Sequence, residues 1–172
     1  MTLEEAKAYL RLDGSGEDAL LGRMIETATI LCEAFTGIVL VRRECVETIA
    51  AERGWQRLTH APVVAITGVE AVPAEGAAEP LPADAYAIDI DASGTGWVRL
   101  TRAGGASRLR VTSRAGLVEA AADIPAPLAQ GVVLLAAHLF DRRETPGAPP
   151  AAIAALWRPW RRMRLHDPER VA

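Results

Sequence analysis

DIPAPLAQGVVLLAAHLFDRRE, residues Asp123–Glu144, is the stretch that decides the fold of this 172-residue chain. Pro127 suits the first turn of a helix, where its missing N–H has no hydrogen bond to lose. Apolar residues then recur at helical spacing and fill most of the circumference, which is typical of a buried helix. The pattern predicts a central core helix over Pro127–Arg143. Its apolar run is shorter than the roughly 20 residues that cross a bilayer.

Two helices near the start of the chain are predicted to pack on this central helix. A T-x-x-E capping box at Thr2 begins the first helix, and Ser15 is the expected N-cap of the second. An apolar stripe runs from Leu21 to Phe35, and Gly37 is the expected C-terminal cap. Both helices carry an apolar face that needs a partner, and the central helix supplies it.

The hydrophobic period changes after Gly37 from about 3.6 to about 2, which indicates β-strands. The predicted strands are residues 38–50, 55–60, 66–72, 85–91, 97–102 and 108–113, and Pro73–Pro82 is predicted as a loop. Short Gly-rich turns between several of them favour hairpins. The sequence therefore predicts an α+β fold, in which an antiparallel β unit (38–113) is inserted into a helical core (1–37 and 114–147).

Composition argues against several classes of protein. The formal charge of -3 is mild, whereas a dedicated nucleic-acid binder carries a strong basic patch. Cys32 and Cys45 form no CxxC pair, so we expect two reduced and partly buried thiols. The N-terminal sequence MTLEEAK is acidic and amphipathic, unlike a signal peptide, which predicts a protein made in the cytoplasm.

Motifs for catalysis and cofactor binding are absent from the sequence. There is no Walker A motif, no GxGxxG and no GxSxG. The D-x-D-x-S run from Asp89 resembles an EF-hand loop, but the twelfth position, which needs a bidentate Glu, is Leu100. We expect these acids at a hairpin end, and we expect no metal or cofactor. A small enzyme whose site is assembled from His60, Asp89 and His138 is the alternative.

The C-terminal segment has a different composition. Residues 148–172 are predicted to be a Pro-rich linker and an extended arm. From Trp157 to Ala172 there are five arginines and two acids, a local charge of about +3, which leaves about -6 for the remainder. Trp and Arg dominate interface hot spots, so a protein partner is predicted. Packing of Trp157 and Trp160 on their own domain is the first alternative, and nucleic acid or anionic lipid is the second.

Four segments resemble the head–tail connector (adaptor) proteins of long-tailed phages and of phage-derived gene transfer agents. They are Thr2–Asp13, Glu17–Thr29, Glu33–Gly37 and Asp123–Glu144. The family also has an L-x-x-x-P-V segment in a strand-rich middle, which Leu58–Val63 resembles, and an aromatic and basic C-terminal segment, which Trp157–Leu165 resembles. Pro73–Pro82 and His166–Ala172 depart from the family pattern.

The resemblance implies a structural protein and not an enzyme: a ring, commonly of twelve subunits, beneath the portal protein of a capsid. Such rings extend the channel through which double-stranded DNA passes without specific binding, and they meet a stopper or tail-side protein. The implied location is the capsid–tail junction of a virion, after assembly in the bacterial cytoplasm and without a membrane. A stopper or a tail terminator is the alternative ring component. In this family the C-terminal segment reaches into the portal, so the implied portal-binding residues are Trp157, Arg158, Trp160, Arg161, Arg162, Met163, Arg164 and Leu165.

Overall fold

The chain divides into two compact units in a computed structural model that describes residues 2–102, 106–141 and 150–162. The helical unit draws on both ends of the chain, Met1–Gly37 and Pro125–Ala172, and the β unit is Ile38–Ile124. The β unit runs past the predicted boundary at residue 113, because the segment after the last strand hydrogen-bonds back into it: Leu117 N–H donates to the Val39 carbonyl at 2.9 Å. The α+β class is confirmed.

The helices of the helical unit are α1 (Leu3–Leu10), α2 (Asp18–Thr36), α3 (Ala126–Asp141) and α4 (Ala151–Trp157), and a 3₁₀ turn (Arg158–Trp160) follows α4. A second 3₁₀ turn, Ala121–Asp123, belongs to the β unit. Within the described part of the chain, none of the helices is both long and apolar enough to cross a membrane.

Two of the three predicted helix caps are present. The Thr2 hydroxyl accepts a hydrogen bond from Glu5 N–H at 3.2 Å, and the Glu5 carboxylate accepts one from Thr2 N–H at 2.6 Å, which completes the capping box. Gly37 ends α2 in the left-handed region at φ 71°. The prediction for Ser15 is wrong: α2 begins after Glu17 without a side-chain cap, and the Ser15 backbone carbonyl instead accepts from Asp18 N–H at 3.2 Å.

The central helix α3 forms the core of the helical unit, as the sequence indicates. Its buried residues lie all round the helix: Leu128, Gly131, Val132, Val133, Leu135, Ala136, Ala137 and Phe140. Phe140 packs in a cluster with Ala6 of α1 and Leu21 of α2. The buried Cys32 also lies on α2, and burial raises the pKa of its thiol to about 12. Its predicted burial is confirmed.

The β unit contains two antiparallel sheets. Its strands are β1 (Arg43–Ala50), β2 (Gln56–Arg57), β3 (Val63–Val72), β4 (Glu79–Pro80), β5 (Tyr86–Ile90), β6 (Gly96–Leu100) and β7 (Arg108–Ala115). The larger sheet has the order β1-β7-β3-β4, and the smaller one has the order β2-β6-β5. A shared core packs side chains from both sheets, among them Cys45, Leu58, Val69, Val98, Leu109 and Val111.

One predicted strand is shorter in the structure, and one predicted loop contains a short strand. The predicted strand 55–60 is reduced to Gln56–Arg57, because the Glu47 carboxylate accepts from the backbone N–H of Thr59 at 2.8 Å and from its hydroxyl at 2.7 Å. This pairing holds Thr59 in a turn. The loop predicted over residues 73–82 contains the short strand β4 at the edge of the larger sheet.

Asp91 organises the turn between β5 and β6. One carboxylate oxygen accepts from Ser93 Oγ–H at 2.6 Å, Ser93 N–H at 2.8 Å and Thr95 N–H at 3.0 Å. The other accepts from Trp97 Nε1–H at 3.1 Å. These donors, with the Ser93 hydroxyl first, hold the pKa of the Asp91 carboxyl well below its ordinary value of 3.8. The acidic run therefore caps a hairpin end.

Asp91→Asn is expected to destabilise the protein above about pH 4 and to matter progressively less in acid. The carboxyl has a lower pKa in the folded state, so its stabilisation is present above the unfolded pKa and is lost as the pH falls towards the folded pKa. Urea unfolding of the wild-type and Asp91→Asn proteins at about pH 7 and about pH 3 measures the difference between their free energies of unfolding. An equal difference at both pH values would contradict the lowered pKa of Asp91.

Candidate assembly site at the C-terminal segment

Trp157 fixes the described part of the C-terminal segment to the helical unit. Its side chain is completely buried, and its Nε1–H donates to the Leu128 carbonyl of α3 at 3.4 Å. Its ring lies 5.8 Å from that of Phe35 on α2, centroid to centroid, at an interplanar angle of 52°. A buried tryptophan with a satisfied N–H and a tilted aromatic neighbour is a strong packing anchor.

Gly131 provides the space that Trp157 fills. A Cβ atom at position 131 would lie 2.1 Å from Trp157 Nε1 and 2.8 Å from its Cε2 atom, so any larger residue would collide with the indole. Glycine in the middle of a helix costs about 0.5–1 kcal/mol relative to alanine. The close approach of α4 to α3 therefore depends on a residue that is locally unfavourable for α3.

The residues after Trp157 stay on the helical unit through Arg162. The Arg162 N–H donates to the Thr36 carbonyl at 2.8 Å, and this carbonyl belongs to the last turn of α2, where no intrahelical donor is available. The Arg161 guanidinium carbon lies 5.6 Å from the centroid of the Phe35 ring, within the range of a cation–π contact. In addition to its contact with α3, the segment is thus held at two points in the last turn of α2.

The predicted portal-binding residues consequently fall into three groups. Trp157 is a core residue, and its burial corrects the expectation that the segment extends away as an arm from residue 148. Arg158 and Arg161 are exposed, and Trp160 and Arg162 are half-buried. Met163, Arg164 and Leu165 lie outside the described residues. The alternative of packing on the chain's own domain therefore describes Trp157, while Arg158 and Arg161 form a basic surface beside Trp160.

The residues considered for a dispersed enzyme site are divided between the two units. His60 and Asp89 belong to the β unit, where His60 Nδ1 lies 3.1 Å from a Glu47 carboxylate oxygen and Asp89 is exposed on β5. His138 is half-buried on α3 of the helical unit. In the described ranges, no group of three or more His, Cys, Asp or Glu side chains is placed to hold a metal ion.

A second surface of tryptophan and arginine lies on the smaller sheet, and the sequence analysis missed it. We call Trp55, Arg57, Trp97 and Arg99 the Trp–Arg face. Arg57 pairs directly with Trp97, and the Arg99 guanidinium carbon lies 4.7 Å from the centroid of the Trp55 ring. The signal was present as W-x-R at 55–57 and again at 97–99, since alternate residues of a strand share one face.

Solved structures of gene transfer agent particles contain chains that resemble this one over nearly its whole length. A chain in the neck of an empty GTA particle, computed with C6 symmetry, matches at a TM-score of 0.77 and 26% identity, over 96% of this chain and 91% of that one. A chain in the virion of a native gene transfer agent (GTA) particle matches at 0.74 and 26%, over 96% and 91%. A chain in the neck of a native GTA particle, computed with C12 symmetry, matches at 0.74 and 27%, over 95% and 90%.

No protein-family model matches the chain, and no curated protein matches it significantly. The resemblance to head–tail neck proteins of phage-like particles is nevertheless confirmed by the solved structures, because the likeness extends over nearly the full length of both chains. The predicted helical core with an inserted antiparallel unit agrees with the fold of these neck chains.

Proposed function

We propose that this protein is a structural component of the neck of a phage-like particle and that it occupies the adaptor position beneath the portal. The likeness to chains of GTA neck structures over nearly the whole chain carries this proposal, and a chain of a GTA virion structure matches equally well. The role is assembly: contact with further copies, docking to the portal protein, and a surface for a stopper or tail-side protein. No bond is made or broken in it.

The proposed assembly is a closed ring of identical subunits. The C6 and C12 symmetry of the GTA neck structures supports rotational repetition of the corresponding chain. In such a ring each subunit uses two different surfaces, one towards each neighbour. Double-stranded DNA would pass through the ring without specific binding. The place of action is the capsid–tail junction of the virion, after assembly in the bacterial cytoplasm.

The proposed portal-binding surface is the exposed side of the C-terminal segment. Arg158, Trp160, Arg161 and Arg162 present basic and aromatic groups there, and Met163, Arg164 and Leu165 continue it in sequence. Arginine and tryptophan are the residue types enriched among interface hot spots. Trp157 acts indirectly, because its burial against α3 fixes the position from which the other residues meet the portal.

Co-sedimentation with assembled portal rings of the same particle tests the adaptor role. Full-length protein should sediment with the rings. Arg158→Glu/Arg161→Glu should weaken binding by about tenfold or more, because two charges at the contact change sign. A chain that ends at Arg162 keeps Trp157 and its packing, so it isolates the contribution of residues 163–172. Arg108→Glu, an exposed site on β7, is the matched charge control.

The outcomes distinguish the ring components. Binding by full-length protein and by Arg108→Glu, but not by Arg158→Glu/Arg161→Glu, would support both the adaptor role and this docking surface. Equal binding by all variants would keep the adaptor role and place the portal contact elsewhere. Failure of the full-length protein to bind portal rings, together with binding to tail-side proteins, would overturn the adaptor role in favour of a stopper or tail terminator.

A further inference from the structure

We draw no further inference here: the strongest candidate, the Trp–Arg face on the smaller sheet, carries none because nothing in the described part of the structure shows what covers it.

Discussion

Replacing Trp157 with alanine is expected to lower the free energy of unfolding of the helical unit by about 3–5 kcal/mol. The indole is completely buried, its N–H donates to the Leu128 carbonyl, and its ring packs on Phe35. Truncation would leave a cavity beside Gly131 that α3 cannot fill, since glycine has no side chain. The C-terminal segment should then lose its main attachment.

Urea unfolding followed by circular dichroism measures this loss, and Trp160→Ala is the matched control. Trp160 is half-buried and lies three residues further along the same segment, so its replacement should cost clearly less than that of Trp157. Limited proteolysis provides a second readout, because the residues of α4 should become accessible to cleavage in Trp157→Ala alone. Equal stability losses in the two variants would show that Trp157 is not the anchor of the segment.

Gly131→Ala is expected to destabilise the same unit by about 1–3 kcal/mol, although alanine favours helix by about 1 kcal/mol over glycine. The added methyl group would lie 2.1 Å from Trp157 Nε1, so the indole or the backbone of α3 must move. Gly22→Ala on α2 is the matched control, because beyond the adjoining backbone of α2 no atom lies within 4 Å of a Cβ there. That variant should gain stability by about 0.5–1 kcal/mol.

A double-mutant cycle isolates the cause of the Gly131 effect. In a Trp157→Ala background the collision disappears, so Gly131→Ala should become neutral or stabilising. This change of sign follows only if the glycine is there to admit the indole. A loss of stability in both backgrounds would instead mean that α3 itself requires glycine at this position. Chemical denaturation of the four proteins supplies all of the required free energies.

Features governed by neighbouring residues were predictable from the sequence. The capping box at Thr2 and the glycine cap at Gly37 depend on residues three or four positions away, and both are present. The central helix was recognisable because its apolar residues continue round the whole circumference. The β5–β6 hairpin was visible as two alternating runs about a Gly-containing turn. In these cases local chemistry and the final fold agree.

Features that depend on distant partners were not predictable in the same way. Ser15 has the right chemistry for an N-cap, yet α2 begins later, where Asp18 pairs with Lys7 of α1 at 2.8 Å. The burial of Trp157 requires the gap at Gly131, which lies far away in sequence and has no local signature. The Trp–Arg face joins two strands that are about forty residues apart, so its members meet only through the pairing of β2 with β6.

The docking of the segment through Arg162 also changes the entropy of any binding event in which it takes part. A disordered arm must lose backbone and side-chain freedom on binding, at about 0.5–1.5 kcal/mol for each flexible side chain that becomes fixed. Residues 150–162 are already held by the Trp157 indole and by the Arg162–Thr36 hydrogen bond. Their backbone is therefore already ordered in the free subunit. A partner that binds Arg158 and Arg161 would lose little binding free energy to the ordering of this backbone.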